Sequence, residues 1–323
     1  MRLSNSKVNT WRRCPRKYKF KYIQRLEPKV KGLPLTRGDW LHQMLMSHYD
    51  GEGWKPKHQE LTKQFNNMFE EEREEYGDLP GETARIMRSY RRRWKDEDQR
   101  YVVVDSELDE ILQLPNSDNS FNFIIDLIVE DVVDGGLWLW DHKTVSKFMP
   151  PDFMLLDTQL TRYYWSAERM GYKPLRGVMF NEIRTKPPAV PALLKSGGLS
   201  RRKNIDTDFY TYLGEIRKYD LDPANYAEIL SRLKRNTGSF FRRTRLPKDK
   251  PVYKRQMGEL LESAEEMEAA QRRDRYPRTA TKTCLWDCEY KDICIAELMG
   301  ADIEPMIKMG FKRRKRMVDK RGT

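Results

Sequence analysis

From Phe121 to Val145 the chain sets two short apolar runs, FNFIIDLIV and LWLW, around Gly135-Gly136. Both runs are rich in β-branched and aromatic residues, and a glycine-containing turn between such runs predicts a β-hairpin. Tyr101–Val104 predicts a strand before the hairpin, and Leu175–Ile183 predicts one after it. Between them, residues 157–170 take a helical period and end at Gly171, a fitting residue just past a helix end. Residues 4–25 also read as helical, capped at Ser4 or Ser6, with Pro15 breaking the helix near Cys14. After a loop at 31–35, the segment from Thr36 predicts a buried helix with Trp40, Leu41, Met44 and Leu45 inward. Residues 57–76 and 82–98 predict two strongly charged helices, and 223–235 and 254–272 predict two more. Residues 185–206 read as a loop rich in Pro, Gly and cations, and a loop of that length is usually functional or mobile. Three strands, a helix and a further strand, in that order, predict a mixed α/β core.

Composition narrows this picture. The chain has 323 residues, 34% of them charged, and a mean hydropathy of -0.84. No apolar run approaches the roughly 20 residues a membrane span needs, and the N-terminus has no apolar stretch of the signal-peptide kind. The expectation is a cytoplasmic protein with no membrane contact. The net charge is +12, and it is unevenly placed. Residues 1–25 carry nine Lys/Arg and no acid, and residues 312–323 carry seven against Asp319 alone. Everything between is slightly acidic. Basic ends of this kind predict a polyanionic partner, with nucleic acid the natural one. Trp11, Tyr18, Phe20 and Tyr22 interleave with the N-terminal cations. That suits either base stacking on a single strand or a buried aromatic stripe.

The candidate chemistry lies in the hairpin. Asp126 interrupts one apolar arm and Asp141 ends the other, with Lys143 two residues on and on the same face. Two carboxylates on neighbouring strands suit a hard divalent cation such as Mg²⁺, and a lysine beside them suits activation of a water at phosphorus. Upstream, Gly38-x-x-x-His42 places an imidazole on an apolar helix; downstream, Gln159-x-x-x-Tyr163 places an amide and a phenol one turn apart. Of the four cysteines, Cys284, Cys288 and Cys294 lie close together and Cys14 lies far off. One four-thiolate site uses all of them, and such a site suits Zn²⁺ or an iron–sulfur cluster. The P-loop pattern, HExxH, GxSxG and the zinc-deaminase pattern are absent from the sequence.

In order, SNSKVNTWRRCPRKYKF, Gly38-x-x-x-His42, Asp126, Asp141-His142-Lys143, Gln159-x-x-x-Tyr163 and the cysteine trio resemble the RecB-type nucleases of the PD-(D/E)XK superfamily. The likeness is to the iron–sulfur branch that includes CRISPR-associated exonucleases and phage-encoded relatives. It implies a restriction-endonuclease-like core, a mixed sheet flanked by helices. It implies Mg²⁺ or Mn²⁺ bound by His42, Asp126, Asp141 and the backbone carbonyl of His142. Lys143 would be the catalytic lysine, and Gln159 and Tyr163 would position the strand. Cys14, Cys284, Cys288 and Cys294 would ligate a [4Fe–4S] cluster, although the Cys-x-x-x-Cys spacing departs from the usual Cys-x-x-Cys and keeps zinc open.

The expected activity is an exonuclease on single-stranded DNA ends. Rival readings are a non-catalytic DNA-binding adaptor on the same fold and a DNA-processing nuclease of CRISPR adaptation. A helicase, recombination or CRISPR-adaptation protein is the expected kind of protein partner. Arg12, Arg13 and Arg16, the loop residues Lys195, Arg201 and Arg202, and Arg242, Arg243 and Arg245 are the expected backbone contacts. The segments read as a basic helix with Cys14 (1–30), a helical lobe with His42 (31–100), a nuclease core (101–185), a basic loop and helical region (186–275), a cysteine segment (276–300) and a basic, disordered tail (301–323).

Overall fold

The structure is a computed structural model, and it describes residues 1–314 apart from 237, 248 and 249. The chain opens with β1 (Arg2–Leu3), α1 (Asn5–Arg13), α2 (Pro15–Tyr18), a π-turn at Lys19–Ile23 and β2 (Leu26–Pro28). Four helices follow: α3 (Leu33–Tyr49), α4 (Trp54–Asn66), α5 (Glu70–Tyr76) and α6 (Leu79–Trp94). Next come β3 (Tyr101–Gln113), β4 (Ser120–Asp131), β5 (Gly136–Val145), α7 (Pro151–Leu155), α8 (Thr158–Arg169) and β6 (Leu175–Arg184). The chain continues through α9 (Phe209–Lys218), α10 (Ala227–Arg235), β7 (Phe241–Pro247) and α11 (Lys250–Arg273). It closes with α12 (Lys291–Leu298), α13 (Glu304–Gly310) and β8 (Phe311–Arg313). No helix among the described residues is long and apolar enough to cross a membrane.

The chain gathers into two compact units. The larger comprises residues 33–108 and 124–249. Its sheet is mixed: β5 runs antiparallel to β4 and parallel to β6, and β7 lies antiparallel along β6. The parallel β5–β6 step is bridged by α7 and α8, the crossover that parallel strands require. One sheet face buries Leu127, Val129, Trp138, Trp140 and Met179 against Met46 of α3. Residues of α3, α4 and α6 form a second apolar cluster with Ile183 and Phe241. The hairpin turn is held by its own polar groups. Asp131 accepts from Val133 N and from Arg100 and Arg245, while Gly135 takes a positive φ of 63°.

The smaller unit comprises residues 1–32, 109–123 and the chain from Lys250 onward. Ser4 caps α1 by accepting from Lys7 N, and the helix breaks at Cys14 before Pro15, because proline offers no donor to continue the ladder. Trp11, Tyr18 and Phe20 are buried, so the aromatic stripe is core. Trp11 Nε1 donates to Glu266 of α11 at 3.0 Å, Tyr18 stacks on Tyr276, and Phe20 stacks on Tyr290. Residues 304–313, expected in a disordered tail, instead form α13 and β8. Strand β8 pairs antiparallel with β2, and Phe311 stacks on the buried Tyr290 at 5.5 Å. The apolar anchors Ile307 and Phe311 are what the charge-weighted reading of the tail overlooked. The remainder of that tail, from residue 315, lies outside the described residues.

Candidate active site and cysteine cavity

The β4–β5 ladder runs from Asp131↔Gly136 to Leu127↔Trp140. One step beyond, the Asp126 carboxylate takes up the ladder's role, with Oδ2 accepting from the backbone N–H of His142 at 2.7 Å. Its other oxygen, Oδ1, meets His42 Nε2 at 2.9 Å. His42 reaches it from α3, which approaches β5 closely at Gly38: a Cβ there would lie 3.0 Å from Thr144 Oγ1. That close approach is the physical content of Gly38-x-x-x-His42.

On β5, Lys143 Nζ sits 2.9 Å from Asp141 Oδ2 and donates to Gln159 Oε1 at 3.2 Å. Gln159 Nε2 donates to Asp141 Oδ1 at 3.3 Å and to the Tyr163 hydroxyl at 3.0 Å. Asp157 caps α8 by accepting from Gln159 N and Leu160 N, which fixes the first turn that carries Gln159. The structure therefore brings Asp141, Lys143, Gln159 and Tyr163 into one chain of contacts, and pairs Asp126 with His42 beside the His142 backbone.

Burial pushes the Asp141 carboxyl up to about 6, with Lys143 opposing and the charge of Asp126 adding to the rise. Burial acts in the same sense on Asp126, yet the His42 hydrogen bond and neighbouring positive charge hold its pKa below the usual carboxylate value. Burial pulls His42 down, but Asp126 outweighs it, with Glu107 and Asp141 helping, so the imidazole is raised. Burial also works against the Lys143 ammonium, and Asp141 more than offsets it. The two carboxylates are thus driven apart in acidity, and their repulsion favours cationic company. The His142 ring is buried and driven down to about 3, so it is neutral. Its Nδ1 meets the side-chain amide of Asn181 at 2.6 Å, and the Tyr49 ring stacks on it at 5.5 Å.

A sequence model of the PD-(D/E)XK nuclease superfamily matches residues 2–295. The chain belongs to the PD-(D/E)XK nuclease superfamily. It is thus a metal-dependent nuclease, a hydrolase whose superfamily acts on DNA and typically uses Mg²⁺ or Mn²⁺. The mixed sheet flanked by helices is the fold expected of it. No curated protein matches the sequence.

The donor set of this nuclease fits such an ion. Asp141 Oδ2 is buried and accepts no hydrogen bond among the described residues, although Lys143 Nζ lies beside it. Oxygen donors with that unsatisfied capacity suit a hard cation. Among the described residues, no three His, Cys, Asp or Glu side chains stand as a ready metal-ligand group. Here His42 pairs with Asp126, and Lys143 with Asp141.

The four cysteines all line one cavity of about 190 Å³ in the smaller unit, none of them in a disulfide. Leu285, Ile295 and Leu298 supply apolar wall, and Arg13, Lys17 and Arg278 supply positive charge. Hydrogen bonds at Thr281 lower the Cys284 thiol, whereas burial raises Cys288. The distant Cys14 is joined to the trio because Arg16 and Arg278 share Glu297 of α12, at 3.0 and 2.6 Å.

The expected DNA contacts divide. Arg243 is corrected outright. Its side chain is 2% exposed, bound to Asp98 at 2.6 Å and to the Tyr49 and Tyr90 hydroxyls, with Trp94 and Trp140 on its faces. A guanidinium with flanking aromatic faces is a core group here, and the sequence reading mistook charge for exposure. Arg242 is committed to Glu182 and the Met149 carbonyl, and Arg245 to Asp131 and Tyr101. Arg12, Arg13 and Arg16 are paired with Glu259, Asp287 and Glu297. Lys195, Arg201 and Arg202 are exposed.

Sequence reasoning missed Glu182, which is fully buried and opposite Lys143 in the β5–β6 register. Its carboxylate accepts from Met149 N at 2.7 Å and from Arg242 Nε at 2.8 Å, which pins the segment leading to α7 and α8. The signal was present: Asn181-Glu182 interrupts the apolar run VMFNEI just as Asp126 interrupts its own arm.

Proposed function

We propose that this nuclease is an exonuclease acting on single-stranded DNA ends, of the RecB-like type. The observation that supports the catalytic part is the contact chain joining Asp141, Lys143, Gln159 and Tyr163, with Asp126 held by His42 and the His142 backbone N–H beside it. Asp126, Asp141, His42 and the backbone carbonyl of His142 would hold Mg²⁺ or Mn²⁺. When bound, the ion supplies Lewis acidity at a phosphoryl oxygen and makes water a better nucleophile. Lys143, held between Asp141 and Gln159, orients the attacking water and offsets charge that develops on the phosphate. Gln159 and Tyr163 align the strand so that the scissile phosphorus faces that water. Lys195, Arg201 and Arg202 follow the backbone farther along.

The four cysteines would hold a [4Fe–4S] cluster, with zinc the alternative. Four thiols and an apolar wall around one cavity favour this reading, as does the resemblance in motif order. The cluster would tie α2 to the segment after α11 within the smaller unit. We place the protein in the cytoplasm of a bacterial or phage-infected cell. The sequence carries no P-loop, so unwinding would come from a helicase, recombination or CRISPR-adaptation partner.

The test is digestion of single strands labelled in turn at each end, with and without Mn²⁺. Stepwise release of label from one end supports the proposal. Cleavage confined to internal positions overturns the exonuclease reading, and metal-independent binding with no cleavage favours the adaptor reading.

A further inference from the structure

The larger unit holds a polar cavity of about 120 Å³, built by the loop after β6 and by α10 and the turn preceding it. Arg201, Lys203 and Arg232 line it, together with Asn225, Tyr226 and Glu228. Three cations against one carboxylate make it electropositive. The sequence explains why it forms. Leu199, Tyr212, Ile216, Tyr226, Ile229 and Leu233 make a small apolar cluster of their own, which gives the loop and the helix a fixed platform. Leu199 N donates to the Tyr226 hydroxyl at 3.0 Å, and the Tyr212 hydroxyl donates to Ser200 O at 3.0 Å. The two loop residues just before Arg201 are therefore each anchored by a tyrosine hydroxyl.

Two of the cations have donor atoms open to a ligand. The Arg201 guanidinium lies over the Tyr226 ring, 4.8 Å from its centre, which orients it and leaves its N–H edges for a ligand. Arg232 Nη2 is buried and has no hydrogen-bond partner among the described residues. Glu228 is one turn before Arg232 on α10. A buried guanidinium donor without an acceptor is costly unless something supplies one. A group with several anionic oxygens and a compact shape meets that need, and phosphate is the group that arginine's fork matches.

We infer that this cavity is a phosphate-binding site, and that it seats a phosphate of the DNA strand away from the catalytic acids. That the phosphate is carried by DNA rests on the proposed reading as a DNA exonuclease; that the cavity binds phosphate rests on its own residues. Such a contact carries no sequence information and sets the register of the strand. Arg232 and Lys203 become strand-positioning residues, and Arg201 acts with them through its face on Tyr226.

The test is binding of two single-stranded oligonucleotides, one with a 5′-phosphate and one with a 5′-hydroxyl, by full-length protein in chelator so that nothing is cut. Arg232→Ala weakens binding about tenfold, as loss of a charge-assisted contact should. The dependence of log affinity on log salt becomes shallower by about 0.7, the share of one phosphate on a single strand. Equal weakening for both oligonucleotides assigns the site to a backbone phosphodiester; weakening for the 5′-phosphate alone assigns it to a strand terminus. Arg232→Lys, read alongside by circular dichroism, keeps the fold and restores part of the salt slope. Unchanged affinity and slope for both DNAs with Arg232→Ala and with Arg201→Ala/Lys203→Ala overturns the inference. The two readings fail separately: wild-type protein that cuts DNA while these variants bind normally loses only the phosphate site. Protein that cuts only at internal positions but needs Arg232 to bind loses only the exonuclease reading.

Discussion

Around Asp141 the functional side chains hold one another: Lys143 on Asp141, Gln159 on both, and His42 on Asp126. In the cysteine cavity the contacts are long. Thr279 N lies 3.5 Å from Cys14 Sγ, and Thr281 Oγ1 lies 3.8 Å from Cys284 Sγ. Oxygen and nitrogen groups organise a site through mutual hydrogen bonds, whereas sulfur is a weak acceptor and takes its order from whatever joins the thiolates. The acid–lysine site is thus preorganised by its own chain, whereas the thiol site would take its order from the proposed cluster.

The sharpest way to break that contrast is Asp141→Asn. Cleavage should fall at least about a thousandfold, with melting temperature and iron content unchanged. A variant that still cuts in Mn²⁺ removes Asp141 from the site. Next comes Cys14→Ser. It should lose the bound iron and the broad visible absorption of a cluster, and melt more than about 5 °C lower, because a bound metal stabilises the fold it joins. Retention of iron at full stoichiometry would exclude Cys14 as a ligand.

Arg243→Ala probes the larger unit's frame. Removing one partner of a buried pair leaves Asp98 uncompensated and should cost about 3–5 kcal/mol in denaturant titration. The salt dependence of DNA binding should not move. Were the slope to change with stability intact, Arg243 would be a phosphate contact after all.

The smallest effect is Asp131→Asn, at the hairpin turn. Burial opposes the Asp131 charge, but the hydrogen bonds from Arg100 and Val133, with Arg245 nearby, hold its pKa below the ordinary value. A lowered folded-state pKa stabilises the fold above the unfolded value of about 3.9 and is lost as the pH falls through the folded value. The variant should melt a few degrees lower at neutral pH, and its gap from the parent should close on acidification below about pH 4. A gap that persists at pH 2 would show that shape, and not charge, holds the turn.

The hairpin was legible because its signals are local. A carboxylate in an apolar arm and two glycines at the turn need no distant partner to be read. The cap at Ser4 is of the same kind. Strand β7 was not legible: SFFRRTRLP reads as a basic loop until Glu182, Asp98 and Asp131 are known to meet its arginines. Strand β8 was hidden in the same way, since its pairing with β2 joins residues almost 290 positions apart in the chain. Helix α9 was passed over because the basic loop before it drew the reading toward charge.

The sequence alone determined which residue types the chemistry has at hand: two acids, a lysine, an imidazole and four thiols in a fixed order. Strand alternation and turn preference are set by neighbours, so the face shared by Asp141 and Lys143 followed from the chain itself. Only the tertiary structure decided which charges are spent inside the protein. Arg243 and Arg242 are drawn to acids contributed by distant parts of the chain, while Arg201 and Arg232 are held above a small apolar platform with donors to spare. An arginine's role depends on whether a carboxylate reaches it across the fold, and that distance is written nowhere in the local sequence.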